Sequence, residues 1–252
     1  MNGTRALRLA AGVVAGAALV LAPATAFATG ATSGSTSSPG TGQASDPVCS
    51  SSQFAAAQQK VETALADRVT QLNRLLSQVQ SPNAHLTPSD QSALVDDISG
   101  TELPGIQALQ PEVQQATTCA ELRSYAHQMV YSYRVYLVMT PQAHETITAD
   151  NESYVDSQLT SLDPTIEQAI AWARAHGRDV SGAEEAFTDF QNQCSAAGTA
   201  VSGQSSTLLA QTPAGYPGNA TVFVTAHSQE TAARNHLKTA FADLGQIFHD
   251  LR

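Results

Sequence analysis

Lysine is nearly missing from this 252-residue chain, which carries only Lys60 and Lys238. Charged residues make up 13% of it, with 12 Lys and Arg against 22 Asp and Glu, for a formal net charge of −10. A surface with that balance repels nucleic acid and anionic lipid headgroups, so neither is an expected partner. Cysteine is scarce. Cys49, Cys119 and Cys194 are far apart with no C-x-x-C, which argues against a thiolate metal centre. Strand signals are almost absent: Ala220–Ala226, ATVFVTA, is one short β-like run, and an isolated strand has nothing to pair with. After residue 28 no stretch is long and apolar enough to span a bilayer. There is no G-x-S-x-G, P-loop, dinucleotide fingerprint or paired-carboxylate signature. No catalytic residue and no cofactor are therefore expected.

The N-terminus has the features of a secretory signal. Arg5 and Arg8 form a basic region, Leu9 to Leu21 is uncharged and apolar, and Ala26-Phe27-Ala28 fits an A-x-A cleavage site. Residues 1–28 are thus expected to be a signal peptide, rather than a retained anchor, with the mature chain starting at Thr29. Cleavage removes two arginines and no acid, which takes the charge from −10 to −12. Residues 29–48, rich in Gly, Ser, Thr and Pro, are expected to be a disordered linker, and residues 49–252 the folded domain.

Helical periodicity governs that domain. Val61, Leu65, Leu72, Leu75 and Val79 recur on three- and four-residue steps, marking a helix over Ser51–Gln80. Thr87 followed by Pro88 is a start signal for a second helix running to about Gln115, which Gly100, Pro104 and Gly105 should break or kink. Thr118 caps a third, whose apolar pattern continues from Cys119 to Gly177 across Pro141. Further helices are expected over Ala183–Gln211 and Val222–Leu251. From these lengths the expected fold is all-α: an elongated antiparallel bundle in which two three-helix bundles share one long central helix kinked at Pro141.

In that topology the starts of the first and third helices lie at one end. A Cys49–Cys119 disulfide is the expected pairing, and Cys194 falls ~60 Å or more away by helix rise. The histidines look structural. His144 heads HETIT, which lacks the second histidine of H-E-x-x-H. His227, Glu230 and His236 share a helix, but the two histidines are nine residues apart. Solvated helix-face positions are expected there, and acidic surface or caps at Asp150–Ser153 and Ser181–Glu185. Trp172, one step off the apolar seam, is expected at the periphery of the core.

One stretch stands out. Eight of the ten residues of Val130–Met139, VYSYRVYLVM, are apolar or aromatic, yet Arg134 sits among them. A buried guanidinium needs an acid. Rise along the helices places Asp67 of the first helix and Glu102 of the second at its level. The expectation is a buried ion pair that pins three helices together, and the rival reading is a functional anion site.

Tyr133, Arg134, Val135, Tyr136, Pro141, Ala149 and Asp150 together resemble a segment shared by exported actinobacterial all-helical proteins, a group with no established activity. The resemblance extends over most of residues 51–252. It implies export and a helical fold, with these seven positions serving packing and helix bending, and it carries over no catalytic residue. The expected function is that of an exported, non-enzymatic helical-bundle protein working by interaction with a protein or cell-envelope partner, as scaffold, spacer or adaptor. The alternative is a small-ligand-binding or chaperone-like module with a groove near Pro141.

Overall fold

A computed structural model describes residues 49–252, so the expected signal peptide and linker lie outside the described residues. Among the described residues there is no strand, and no helix is long and apolar enough to cross a membrane. Nine α-helices follow one another there: α1 (Ser51–Val79), α2 (Pro88–Val95), α3 (Leu103–Gln115), α4 (Cys119–Tyr131), α5 (Thr140–Thr160), α6 (Asp163–Ala175), α7 (Ser181–Val201), α8 (Gln204–Leu209) and α9 (Ala220–Asp250). The ATVFVTA run, with β-branched content but no partner strand, is the first turns of α9.

The helix starts follow from local chemistry. Ser50 caps α1 by accepting the Gln53 N–H, and the Gln53 side chain returns to the Ser50 N–H. Thr118 and Glu121 form the same reciprocal box on α4, and Thr87 with Pro88 opens α2. Cys49 and Cys119 are joined by a disulfide, their Cα atoms 6.4 Å apart. Loop closure across 70 residues stabilises the fold by about 4 kcal/mol on chain-entropy grounds. Cys194 is a free, buried thiol.

Proline does not break the helices where expected. Pro104 and Pro141 each fall just after a π-helical segment, Asp96–Glu102 and Val135–Met139 respectively. In both, the N–H of the residue before the proline reaches the carbonyl five residues back: Leu103 to Ile98, and Thr140 to Val135. The wider turn makes room for a ring that lacks an N–H and would collide with the preceding turn. The second helical rod therefore runs from Pro88 to Gln115 without interruption.

The long central helix is a correction to the expected architecture. The chain breaks at Ser132–Arg134, where Arg134 adopts the left-handed conformation (φ 46°, ψ 41°), while Pro141 rides in the first turn of α5. It breaks again at Ser161–Leu162 before α6, whose first turn holds Pro164. What was expected to be one rod is three. The helix expected over Ala183–Gln211 is likewise divided at Gly203, which has φ 70°.

Burial identifies two main cores. One gathers Leu65, Leu72, Leu75 and Val79 of α1 with Leu94, Ile98, Ile106 and Val113 of the second rod and Leu122 and Met129 of α4. The other joins α6, α7 and α9 through Ile166, Ile170, Phe190, Leu237 and Ile247. Helix α5 serves both, with Ala143 in the first and Ala149 and Leu159 in the second. Each fully buried leucine of α1 contributes about 1.5–3 kcal/mol of transfer free energy.

Polar groups tie α8 to α5. Gln142 donates from Nε2 to the carbonyls of Leu208, Leu209 and Gln211 at and just beyond the end of α8. Asp150 accepts the Thr87 N–H at 2.9 Å and the Ser205 hydroxyl at 2.6 Å, linking the start of α2 to α8. Asp150 and Glu152 were expected on an acidic surface and are instead buried. Trp172 departs the other way. It is 56% exposed, stacked on His176 with Arg178 over its ring, and contributes nothing to the core.

Candidate functional site

The break between α4 and α5 makes an unusual surface. Val135, Val138 and Met139 turn inward, and Tyr133 packs on the first core. The Tyr133 ring lies against α3 at Gly105, where a Cβ would overlap it. Satisfying these inward residues sends the intervening Tyr136 and Leu137 out, 45% and 43% exposed, and Tyr131 at the end of α4 is 52% exposed.

Arg134 lies between aromatic faces. Its guanidinium carbon is 5.1 Å from the Tyr131 ring centroid and 4.8 Å from that of Tyr216, in the loop between α8 and α9. Tyr131 is backed in turn by His127, ring centroids 4.3 Å apart. The expected ion pair is absent. Asp67 is exposed, Glu102 is buried with Oε2 lacking any hydrogen-bond partner, and neither contacts Arg134. The rise arithmetic failed because it assumed a straight helix through Arg134, and the left-handed residue turns the side chain out of that register. Arg134 Nε is buried without a hydrogen-bond acceptor. No carboxylate or carbonyl of the described residues takes up its donors.

Level with Asp67 it is Arg68 that meets this segment. Its guanidinium lies 5.0 Å from the Tyr136 centroid, and its Nη1 donates to the Ala64 carbonyl at 2.9 Å. Burial lowers the Arg68 pKa and raises that of the Tyr136 hydroxyl. Left to itself, Glu102 holds its proton: burial first, then Asp97, push it up to about 8.

A second polar cluster lies where α5 meets α9. Glu145 of α5 and His227 and Glu230 of α9 bring one ligand atom each within 4.8 Å of one another. His227 Nδ1 is 3.6 Å from Glu145 Oε1. Glu230 is 1% exposed and accepts Gln204 Nε2 at 2.7 Å. Beside it Glu152, 7% exposed, faces Arg234 at 3.2 Å. Burial first, then a hydrogen bond shared with Glu145, pushes Glu230 up to about 10. Burial, opposed by Arg234, pushes Glu152 up to about 7. The solvated-face expectation therefore fails for Glu230 and holds for His227, whose side chain is 58% exposed. His236 stands apart, half-buried and bonded to Gln193 at 2.7 Å.

No protein-family model, curated protein or solved structure matches this chain.

The remaining histidines and cysteine are structural. His144 Nε2 is 3.2 Å from Gln78 Oε1, and His249 is paired with Asp250 beside the end of α9. Cys194 is 4% exposed, and burial, followed by Asp156 and Asp163, pushes its thiol up to about 11, far from the thiolate that nucleophilic chemistry needs. Two shallow depressions, one along α1 between Ala56 and Asp67 and one between α8 and α9, have no contribution from Pro141.

Proposed function

We propose that this chain is an exported, non-enzymatic interaction protein, and that it grips a protein partner at the α4–α5 break. The observation that carries the reading is Arg134: a permanent cation framed by Tyr131 and Tyr216 whose donors meet no acceptor among the described residues. Arginine and tyrosine are the side chains that anchor protein interfaces, because they bury large rigid area and still offer directed hydrogen bonds. A guanidinium with free donors selects a carboxylate, which it can hold through two parallel bonds. The partner's contact segment accordingly presents an Asp, a Glu or a C-terminal carboxylate, with apolar groups to cover Tyr131, Tyr136 and Leu137. The left-handed backbone at Arg134 is the kind of strain that collects at binding sites.

Export is supported by the signal-like N-terminus, the Cys49–Cys119 bond and the shortage of lysine-rich or nucleic-acid-binding surface. The reading as a small-ligand module near Pro141 has less behind it, since Gln142 fills that position with three bonds to the end of α8. Affinity capture from culture supernatant and envelope fractions tests the proposal. A partner retained by the wild-type protein and by Trp172→Ala, and lost with Arg134→Met and Tyr131→Ala, supports it. Capture indifferent to Arg134 contradicts it.

A further inference from the structure

Three carboxylates, Glu145, Glu152 and Glu230, gather where α5 meets α9, and one permanent cation, Arg234, faces them. A divalent ion would bring that set to neutrality.

We propose that Glu145, His227 and Glu230 form a binding site for one divalent transition-metal ion of the zinc class. The donor set is one imidazole and two carboxylates, which favours such an ion over the all-oxygen cages of calcium and magnesium. The spacing suits it. His227 and Glu230 are one turn apart on α9, and Glu145 faces them from α5. Ligand atoms around a tetrahedral ion with bonds of ~2.1 Å are about 3.4 Å from each other. The Glu145–His227 pair is already at 3.6 Å, and the set as a whole, within 4.8 Å, must close by up to about 1.4 Å.

Two further observations point to a ligand. Gln204 is 5% exposed and turns its amide onto Glu230, yet its own Oε1 has no hydrogen-bond partner. Glu152 is 7% exposed; its Oε1 is ion-paired with Arg234 at 3.2 Å, and its Oε2 has no hydrogen-bond partner. Such unsatisfied groups beside a ligand set are what an outer shell of a metal site supplies: they orient the ligands and take up the water that completes the coordination. The exposed imidazole of His227 leaves a path from solvent and a free position on the ion. The site lies on α5 and α9 and shares no residue with the Arg134 surface, so its existence does not depend on that surface being a binding site.

The test is calorimetric titration of Zn2+ into full-length, tag-free protein, with Co2+ absorption as a second signal. One saturable ion per chain is expected, with Mg2+ and Ca2+ failing to compete at millimolar concentration. His227→Ala should weaken Zn2+ binding at least ten-fold, and Glu230→Gln should do the same. His236→Ala should leave it unchanged. His227 is largely exposed, so its replacement leaves the fold intact, which a circular dichroism melt verifies. Absence of one-to-one binding, binding indifferent to His227→Ala, or binding lost with His236→Ala overturns the proposal.

Discussion

The guanidinium of Arg134 lies over the ring of Tyr216, 4.8 Å from its centroid, and so fastens the α4–α5 break to the loop that precedes α9. This aromatic contact stands where an ion pair with Asp67 or Glu102 was expected. It predicts that Arg134→Met combined with Asp67→Ala or Glu102→Ala will be additive in a double-mutant cycle. Arg134→Met combined with Tyr216→Ala should instead couple by about 0.5–1 kcal/mol, the range for a partly exposed cation–π pair. Urea denaturation of the four proteins in each cycle reads both. Arg134→Gly should lose little stability, because glycine takes the left-handed backbone freely and offsets the lost contact.

Glu102 gives the fold a pH dependence. Its pKa in the native chain, about 8, exceeds its ordinary value of 4.5, so the folded state binds the proton more tightly than the unfolded state. The resulting stability is complete below pH 4.5 and is lost as pH rises through 8. Glu102→Gln removes that loss. Each pKa unit is worth about 1.4 kcal/mol, and allowing for partial water access the variant should gain about 2 kcal/mol over wild type between pH 5 and pH 9. Urea midpoints at the two pH values measure the difference, and identical slopes would refute the assignment.

The disulfide and the free cysteine should behave oppositely. Cys49→Ser should cost up to about 4 kcal/mol of stability, from the loop-closure entropy returned to the unfolded chain. Cys194 should resist thiol reagents in the native protein and react in denaturant, as a buried thiol does. Peptide mapping without reductant distinguishes the two, and a bond to Cys194 would contradict the topology.

Gly105 should show a change of sign with context. A side chain there overlaps the Tyr133 ring, so Gly105→Ala is expected to destabilise by about 1–3 kcal/mol as that ring is displaced. In a Tyr133→Ala background the obstruction is gone, and the same substitution should stabilise by up to about 1 kcal/mol through helix propensity. Thermal melts of the four proteins decide it.

Much of the architecture was legible because it rests on local rules. The caps at Thr87 and Thr118, the α1 seam and the co-location of Cys49 and Cys119 follow from spacing and helix length. The break at Arg134 was not legible. Arginine does not announce a left-handed backbone, and Pro141 drew attention to a position that a π turn accommodates. The buried cluster was partly legible. Glu230 takes a place in the inward stripe of Phe223, Ala226, Ala233 and Leu237 on α9, and an acid in such a stripe signals burial. Glu152 repeats that signal on α5, with half-buried Glu145 seven residues before it on the same face. What no spacing could show is that α5 and α9 meet with those faces together.

The most direct measurement of the central claim is site-specific cross-linking in cells that produce the protein. A photoreactive phenylalanine analogue at Tyr131, with another at Trp172 as an equally exposed control, reports what touches each surface. The account predicts a discrete protein adduct from position 131 whose linked peptide carries a carboxylate, lost in an Arg134→Met background and missing from position 172. Adducts that are equal at both positions, or unchanged by Arg134→Met, would contradict it.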